Sequence, residues 1–357
     1  MIQARKLFLK LLAACTVAVI TAAQISASAQ AAPGIDVSAA IKSLQITSGP
    51  YANGYLVAPN GMLNWYFTNL GLLPVVQYFS PDDLDRYVRT YLDLYLKNLT
   101  VNSTISDIGF TPGSNTVVMI PSDSDDSYAS TFLSLAVRYT RASQNWAWWD
   151  ANEAALKNMA YRNLAVMQKP TDGLVSTFQP PRNQANGLGY LMDNAEDYRG
   201  LRDFASLLRD RGETTDANYY DLVATGIAQG IGTRLYDTAH AGFMTSDGDA
   251  QATEAFYAGT TCQSFPEAFG INELSAYYSK SWIYLNQYSP NWQNGQYDAF
   301  PWAVLGYVAA QRGLTAQAHE QLQAIDKLFF YNRALVTLNE LGFYQRTQSI
   351  LAGHPAT

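Results

Sequence analysis

The chain alternates between helical segments that have a charged face and helical segments that carry almost no charge. Residues 81–99 are of the first kind: Leu84, Val88 and Leu92 fall on one face of a 3.6-residue helix, and charged side chains lie on the other faces. Residues 127–137, by contrast, read SYASTFLSLAV and carry no charge. An amphipathic helix keeps one side in water, whereas a helix without charge can be enclosed on all sides. The alternation therefore predicts two layers of helices, one inside the other.

The two kinds of segment follow one another as helical hairpins. A closed ring of hairpins encloses its inner helices between the ring axis and the outer helices. A helical repeat array is the alternative, but the spacing lacks the firm period of about 34 to 45 residues that such arrays show. We therefore predict an all-α fold, an α/α toroid or six-hairpin barrel. The uncharged segments are 62–77, 127–137, 300–310 and the mixed 190–211, and the charged segments are 81–99, 150–168, 213–236 and 315–328.

Five hairpins can be assigned from the sequence, the least regular of them over 265–288. A sixth requires residues 335–353 to supply it. Two long connections, 173–189 and 235–261, contain glycine, proline and asparagine together with short strand-like runs, which predicts short β-hairpin loops at one end of the ring. Loops of this length are usually functional or disordered, and their aromatic residues argue against disorder.

The first 31 residues have the composition of a secretory signal peptide. A basic head precedes the apolar run LLAACTVAVITAA and the small-residue run ASAQAAPG, which is the order found in cleaved signals. The apolar run is shorter than the roughly 20 residues that cross a bilayer, so we expect no transmembrane span. The sequence predicts a signal peptide over 1–31 and a single domain over 32–357. We expect a monomer that is secreted or periplasmic.

The cysteines allow a second interpretation of this leader. The run LAAC that ends at Cys15 resembles the lipobox of bacterial lipoproteins, in which the cysteine is lipidated. Lys10 interrupts the apolar stretch, and the run continues well past Cys15, so a lipoprotein is the lesser alternative. After cleavage behind Ala31 the one remaining cysteine is Cys262. An intrachain disulfide is then impossible, and stability must come from packing.

Charge and histidine content exclude several classes of function. A formal net charge of −7 argues against nucleic acid and anionic membranes as partners, and it does not favour an anionic substrate. The chain has only three histidines, His240, His319 and His354, which argues against a His-rich metal site or a Ser-His-Asp triad. We expect no metal and no cofactor. The 24 tyrosines and 7 tryptophans suit sugar rings, because each offers an apolar face and a polar edge, although aromatic-rich cores are also common.

Acidic and aromatic side chains recur where the uncharged segments begin. In a toroid the inner helices run parallel, so these starts would meet at one end of the ring. Glycoside hydrolysis needs one carboxylic acid to protonate the leaving oxygen and a second carboxylate to activate water or to attack. We predict that one of Asp125 and Asp126 pairs with one of Asp193 and Glu196, with inversion of configuration. The predicted substrate-binding residues are Asn64, Trp65, Asp123, Tyr128, Asn194, Tyr198, Glu267, Asp298 and Trp302.

Helix capping is the other explanation of the same acids. Serine, aspartate and asparagine are ordinary N-caps, and acids in a first turn interact favourably with the helix dipole. Taken alone, the run DSDD at 123–126 is better explained as a cap, and Asp193 with Glu196 could form a variant of the capping box. Capping does not explain why aromatic residues accompany the acids at each start. That recurrence favours a carbohydrate site.

Three motifs resemble those of the six-hairpin glycosidase superfamily. They are DSDDSYAS at 123–130, GYLMDNAEDYRGL at 189–201 and LYDTAHAGFMTSDG at 235–248, and the likeness extends over about residues 55 to 320. The resemblance implies a secreted enzyme that acts on polysaccharides with paired carboxylates. It assigns the acid positions to Asp125 or Asp126 and to Asp193 or Glu196.

Two other functions remain open on the same fold. A polysaccharide lyase would use a tyrosine, histidine or arginine beside a neutralised uronate. A non-catalytic protein for glycan binding or envelope assembly would keep the aromatic residues and would need no separated pair of acids.

Overall fold

The computed structural model describes residues 34–110 and 116–355. The predicted signal peptide, with Cys15, lies outside the described residues. In the described part helices dominate and strands are few and short, as the alternating pattern predicts. In chain order the α-helices are α1 (Val37–Lys42), α2 (Trp65–Leu72), α3 (Pro81–Asp83), α4 (Thr90–Lys97), α5 (Asp126–Ser143), α6 (Trp146–Ala160), α7 (Leu191–Asp210), α8 (Thr214–Gly230), α9 (Phe265–Ala268), α10 (Ser275–Tyr288), α11 (Val304–Gln311), α12 (Thr315–Tyr331) and α13 (Leu338–Leu351).

Several of these helices are extended by other helical turns. The π-helical residues Leu84–Arg89 join α3 to α4, so that the predicted amphipathic helix is continuous. Its start is capped by Ser80, whose hydroxyl accepts a hydrogen bond from the Asp83 amide at 3.2 Å. Further π-helical turns are Tyr161–Ala165 after α6, Ile231–Leu235 after α8, and Phe256–Thr260. The 3₁₀ turns are Val76–Tyr78, Arg182–Gln184, Thr261–Ser264, Asn272–Leu274, Trp292–Asn294 and Arg333–Leu335.

In the described residues the helices form a closed ring in two layers. The inner helices α2, α5, α7, α9, α11 and α13 stand around one axis, and each packs against the next. The outer layer consists of α3–α4, α6, α8, α10, α12 and α1, each packed on an inner helix. The helix α5, whose residues 127–137 carry no charge, is buried along almost its whole length, whereas α8 keeps an exposed side. The charge pattern of the two helices thus follows their position in the ring.

The ring closes where α13 packs against α2. Gly71 of α2 and Gly342 of α13 allow the two backbones to approach: a Cβ on Gly71 would lie 2.9 Å from the carbonyl oxygen of Leu338. Only glycine permits so short a separation without displacing a helix. The expectation that residues 335–353 supply a sixth hairpin is half met. They supply its inner helix, while the outer helix is α1, from the other end of the described chain.

The least regular hairpin, predicted over 265–288, divides at Gly270. This residue has φ +70, a conformation that glycine adopts without strain. The chain before it forms the single inner turn α9, and the chain after it forms the outer helix α10. The inner layer is therefore thinnest at α9, where one turn takes the place of the longer helices found at α5 and α7.

Two short β-hairpins lie in the connections. The pair β1 (Ser106–Phe110) and β2 (Val117–Pro121), which was not predicted, is antiparallel, with Ile108 opposite Met119. The pair β3 (Tyr236–Asp237) and β4 (Gly242–Phe243) forms in the predicted loop 235–261. The other predicted loop, 173–189, contains only an isolated bridge from Val175 to Gln168 and one 3₁₀ turn.

Within residues 34–110 and 116–355, none of the helices combines the length and apolarity needed to cross a lipid bilayer. The side chain of Cys262 is a free thiol buried in the core.

Candidate active site

The first turns of the inner helices meet at one end of the ring, which we call the N-terminal mouth. The side-chain amide of Asn64, the cap of α2, donates to the hydroxyl of Tyr128 in α5 at 2.9 Å. On the other side of the ring, the backbone amide of Ala303 donates to Glu340 in the first turn of α13 at 2.6 Å. Contacts between starts of different helices mean that these helices run parallel, as the sequence predicts.

A cluster of three buried aspartates lies at this mouth. Asp126 begins α5, and Asp193 and Asp197 lie one turn apart on the neighbouring helix α7. Each side chain is at most 1% exposed. Burial, followed by the nearby charges of Asp197 and Asp193, raises the pKa of Asp126 well above its ordinary value. Burial and Asp193 likewise raise the pKa of Asp197. We refer to these three residues as the acid cluster.

Glu196 lies on the same turns of α7 and interacts with a different helix. Its Oε1 accepts a hydrogen bond from the hydroxyl of Tyr66 in α2 at 2.6 Å. The Tyr66 ring is stacked on the ring of Tyr128, with centroids 5.6 Å apart. Glu196 lines a small cavity at the mouth and also a larger one toward the opposite end of the ring. It is therefore the predicted acid that lies deepest in the bore.

Asp107, on strand β1, is held by the helix starts around it. Its carboxylate accepts from the hydroxyl of Tyr128 at 2.6 Å, from the side chain of Asn64 at 2.8 Å and from the amide of Trp65 at 3.1 Å. Burial is the main cause that raises the pKa of Asp107 to about 8, and the half-buried Asp123 adds to the effect. Asn64, Asp123 and Tyr128, predicted to bind substrate, thus come together around a carboxyl that the sequence did not reveal.

Asp125 and Asp126 are neighbours in sequence with separate surroundings. Asp125 faces the loop 173–189, where its carboxylate accepts from the amide of Gln179 at 2.9 Å and from the guanidinium of Arg182 at 3.0 Å. Burial raises the pKa of Asp125, although these two donors oppose the change. The Arg182 guanidinium also lies 3.9 Å from the ring centroid of Phe178. Asp125 therefore fastens a loop over the mouth, while Asp126 turns toward the acid cluster.

Trp302 lies at the mouth in a strained conformation. Its φ is +55, which is rare for a bulky residue and costs on the order of 1–3 kcal/mol. The indole is stacked on Tyr257 at 5.0 Å, and its Nε1 donates to Asp298 at 2.9 Å. Both predicted residues, Trp302 and Asp298, are thus placed beside the inner start of α11. Strain of this kind persists where the surrounding structure requires it, and it often marks a functional site.

The cavity at the mouth is small. It is bounded by Tyr66, Glu196, Trp302 and Glu340 among others, and its volume is about 10 Å³. That volume is close to the space that one water molecule needs. On the far side of Glu196, the larger cavity has a volume of about 420 Å³. Glu196 thus lies between these two cavities.

Solved structures with the same architecture are glycosidases. A glycosidase variant in complex with glucose matches with a TM-score of 0.57 at 13% identity, over 89% of this chain and 96% of that chain. A GH76 alpha-mannanase from Bacteroides thetaiotaomicron matches with a TM-score of 0.55 at 12% identity, over 89% of this chain and 95% of that chain. The chain has the six-hairpin glycosidase fold. The predicted α/α toroid is confirmed.

No protein-family model matches the chain, and a search of curated proteins finds no match. The likeness to the six-hairpin glycosidases is therefore one of fold, and the residues at the mouth have to be judged on their own geometry.

Two of the predicted substrate-binding residues serve the packing of the fold. Trp65 is fully buried, and its Nε1 donates to the carbonyl of Ser106 at 2.8 Å. The side chain of Asn194 is also fully buried, where its oxygen accepts from the amide of Val175 at 2.8 Å. Both residues fix connections to the inner helices, and neither lies open to a cavity.

Two further predicted residues lie apart from the acid cluster. The hydroxyl of Tyr198 donates to Glu273 at 2.8 Å, in front of the outer helix α10. Glu267 accepts from the guanidinium of Arg312 at 2.9 and 2.5 Å, near the end of α11. A position in the first turns of α7 or α9 does not fix the direction of a side chain, which explains why the sequence grouped these residues with the others.

Four residues of the mouth were missed as site residues from the sequence. Asp197 follows Asp193 by four residues, a spacing that places both on one helix face and could have revealed it. Tyr66 and Glu340 stand in the first turns of inner helices, but the helix containing Glu340 was recognised only conditionally. Asp107 belongs to a strand pair that no sequence signal announced.

Proposed function

We propose that the protein is a glycoside hydrolase that cleaves an oligo- or polysaccharide with carboxyl groups of the N-terminal mouth. The observation that supports this most is the acid cluster, in which burial and like charge raise the pKa of Asp126. A general acid must carry its proton at the working pH, and a carboxyl does so only when its surroundings raise its pKa. Surroundings of this kind are typical of catalytic carboxyls.

The residues of the mouth suit distinct roles. Asp126 acts as the general acid that protonates the leaving oxygen. Glu196, on the neighbouring inner helix and hydrogen-bonded to Tyr66, acts as the base that activates water, so that the reaction inverts the anomeric centre. Asp197 and Asp193 support the raised pKa of Asp126, and Asp125 holds the loop above it. Asp123, Asp298 and Trp302 remain as substrate contacts at the entrance.

We expect the side chains that border the mouth to move when substrate enters. Arg182, which ties the loop 173–189 to Asp125, and Trp302, held at positive φ, are the side chains whose displacement would enlarge the entrance. Closure of this kind excludes water from the reacting groups.

A panel of glycans tests this proposal. It begins with α-mannan and with glucose-containing oligosaccharides, because one solved structure of the same fold is an alpha-mannanase and another holds glucose. We expect Asp126→Asn and Glu196→Gln to lower turnover by a factor of about 10² or more, while Asp82→Asn, an exposed acid of the outer layer, leaves it unchanged. NMR of the first product shows whether the anomer is inverted. Undiminished turnover in both mouth variants would exclude this site.

A non-catalytic role in glycan binding is the second candidate, and the aromatic side chains at the mouth, such as Tyr66 and Trp302, favour it. Such a protein binds a glycan of the panel without cleaving it, and Asp126→Asn does not change its affinity. We also propose that the protein is a monomer exported by its leader to the periplasm or the medium. Sequencing of the mature N-terminus and light scattering of the purified protein test these two points.

A further inference from the structure

Three arginines from separate inner helices converge on the larger cavity of the ring. Arg138 lies on α5, Arg199 on α7 and Arg346 on α13, and all three line the cavity of about 420 Å³ that begins at Glu196. Arg138 lies about three turns beyond Asp126 in α5, toward the end of the ring where the inner helices finish, whereas Arg199 follows Asp197 by only two residues. The bore is thus acidic at the N-terminal mouth and basic at the opposite end.

Two of these arginines lack a directly bonded acidic partner in the described residues, although the charge of Asp203 favours the protonated form of Arg138. Neither Arg138 nor Arg346 makes a hydrogen bond or an ion pair with any residue of 34–110 or 116–355, and the Nε of Arg138 is buried without an acceptor. Arg199, by comparison, pairs with Asp203. Arg346 is also largely buried, with 7% of its surface exposed. Its guanidinium contacts only the faces of Tyr307 and Phe343, at 5.6 and 5.4 Å from the ring centroids.

Unpaired arginines in such a position are energetically unfavourable. Arginine is almost never buried unless it is paired, because the charged group loses its hydration. Burial, together with the charges of Arg346 and Arg199, lowers the pKa of Arg138 to about 10, so the group remains protonated at neutral pH. An uncompensated buried charge destabilises the folded state. An anion that enters the cavity would remove the penalty and would be bound by preoriented donors.

The rest of the lining indicates what kind of anion fits. Tyr307 and Phe269 offer aromatic surface, and the exposed Gln311 offers an amide. Aromatic faces with a few polar groups suit a sugar ring, and ligand sites of about 300–1,000 Å³ take small molecules of that size. The planar guanidinium matches a carboxylate with two parallel hydrogen bonds.

We propose that this cavity binds a sugar acid, a monosaccharide unit that carries a carboxylate, with Arg138 and Arg346 as the carboxylate-binding residues. The inference does not rest on the proposed hydrolase, because it derives from the opposite end of the bore. It also revises the expectation, drawn from the net charge, that an anionic ligand is disfavoured. Glu196, which lines both cavities, would lie at the inner end of the bound sugar.

Calorimetric titration of the purified protein tests the proposal. D-Glucuronate and D-galacturonate are compared with D-glucose and D-galactose, which differ from them only at the carboxylate, and with inorganic sulfate and phosphate. We expect at least one sugar acid to bind at least about tenfold more tightly than its neutral counterpart and than either inorganic anion. Equal affinity for the neutral sugar, or for sulfate or phosphate, would overturn the proposal. This comparison uses the unaltered protein and needs no variant to fold.

Variants then locate the ligand. We expect Arg138→Met and Arg346→Met each to weaken binding of the sugar acid at least about tenfold, because the remaining guanidinium cannot form both contacts. Arg162→Met, which changes an exposed arginine of the outer layer, serves as the matched control and keeps full affinity. Unchanged affinity in both cavity variants would exclude this cavity. Sugar-acid binding without any glycan turnover would refute the hydrolase and leave this inference intact.

Discussion

The hydroxyl of Tyr66 donates a hydrogen bond of 2.6 Å to Oε1 of Glu196, and both side chains are buried. This contact joins α2 to α7, two inner helices that are separated in the ring by α5. It therefore spans the bore at the level where the mouth cavity ends and the larger cavity begins.

Removing that hydroxyl tests how much the contact contributes to stability. We expect Tyr66→Phe to lower the free energy of unfolding by about 1–3 kcal/mol, because a buried carboxyl loses a donor. Urea denaturation monitored by circular dichroism measures the change. Tyr78→Phe is the control, since its hydroxyl bonds to Ser349 at 2.6 Å on a half-exposed side chain. Equal effects in the two variants would contradict a special role for the buried pair.

The pKa of Asp107 leads to a prediction about pH. Since the folded pKa is about 8 and the ordinary value is 3.8, the folded state retains a proton that the unfolded state has lost between these two pH values. Stability therefore falls as pH rises through this window, by up to about 1.4 kcal/mol per pH unit for one proton. We expect a shallower fall in Asp107→Asn when urea unfolding is repeated between pH 4.5 and 8. An unchanged slope would show that Asp107 does not hold the proton.

The acid cluster should lower stability at neutral pH in the unaltered protein. Replacing Asp126 with asparagine removes a buried group whose ionisation is opposed by Asp193 and Asp197. We expect Asp126→Asn to unfold at higher urea at pH 8, by about 0.5–2 kcal/mol, although glycan turnover is lost. Asp197→Asn should stabilise similarly, and because it removes a charge that raises the pKa of Asp126, its turnover should fall at a lower pH than that of the unaltered protein. A destabilised Asp126→Asn protein would show that the carboxyl is needed for the fold.

Ring closure depends on the glycine contact between α2 and α13. A methyl group on Gly342 would collide with the carbonyl oxygen of Leu70, so one of the helices has to shift. We expect Gly342→Ala to lower the free energy of unfolding by about 1–3 kcal/mol. Gln348→Ala, at a half-exposed position of the same helix, should stay within about 0.5 kcal/mol. Thermal unfolding of the two variants compares them, and similar melting temperatures would argue against tight closure at this point.

The layers of the fold and the end of the ring that bears acids follow from the sequence alone. Charge periodicity is a local property, and it separates an uncharged segment such as 127–137 of α5 from an amphipathic helix such as the one that begins at Pro81. Helix capping is also local, which places Asp126 and Asp193 at helix starts. Parallel inner helices then bring those starts together. The predicted pairing of the helices that begin near Asp126 and Asp193 needed no further information.

The direction of each side chain was decided only by tertiary packing. Asp125 and Asp126 are adjacent in sequence, yet one binds the loop at Arg182 and the other joins the acid cluster, because a turn of about 100° separates neighbours on a helix. Asp107 entered the site through a strand pair that the sequence did not indicate.

The arginines at the basic end of the bore are a clearer example of an arrangement that the sequence does not indicate. Arg138 and Arg346 stand about 200 residues apart in a chain of net charge −7. Nothing local relates them, and composition pointed away from an anionic ligand. They meet because α13 closes the ring beside α2, within reach of α5. The sequence by itself therefore determined which helices are enclosed, whereas ring closure decided which charges face one another inside.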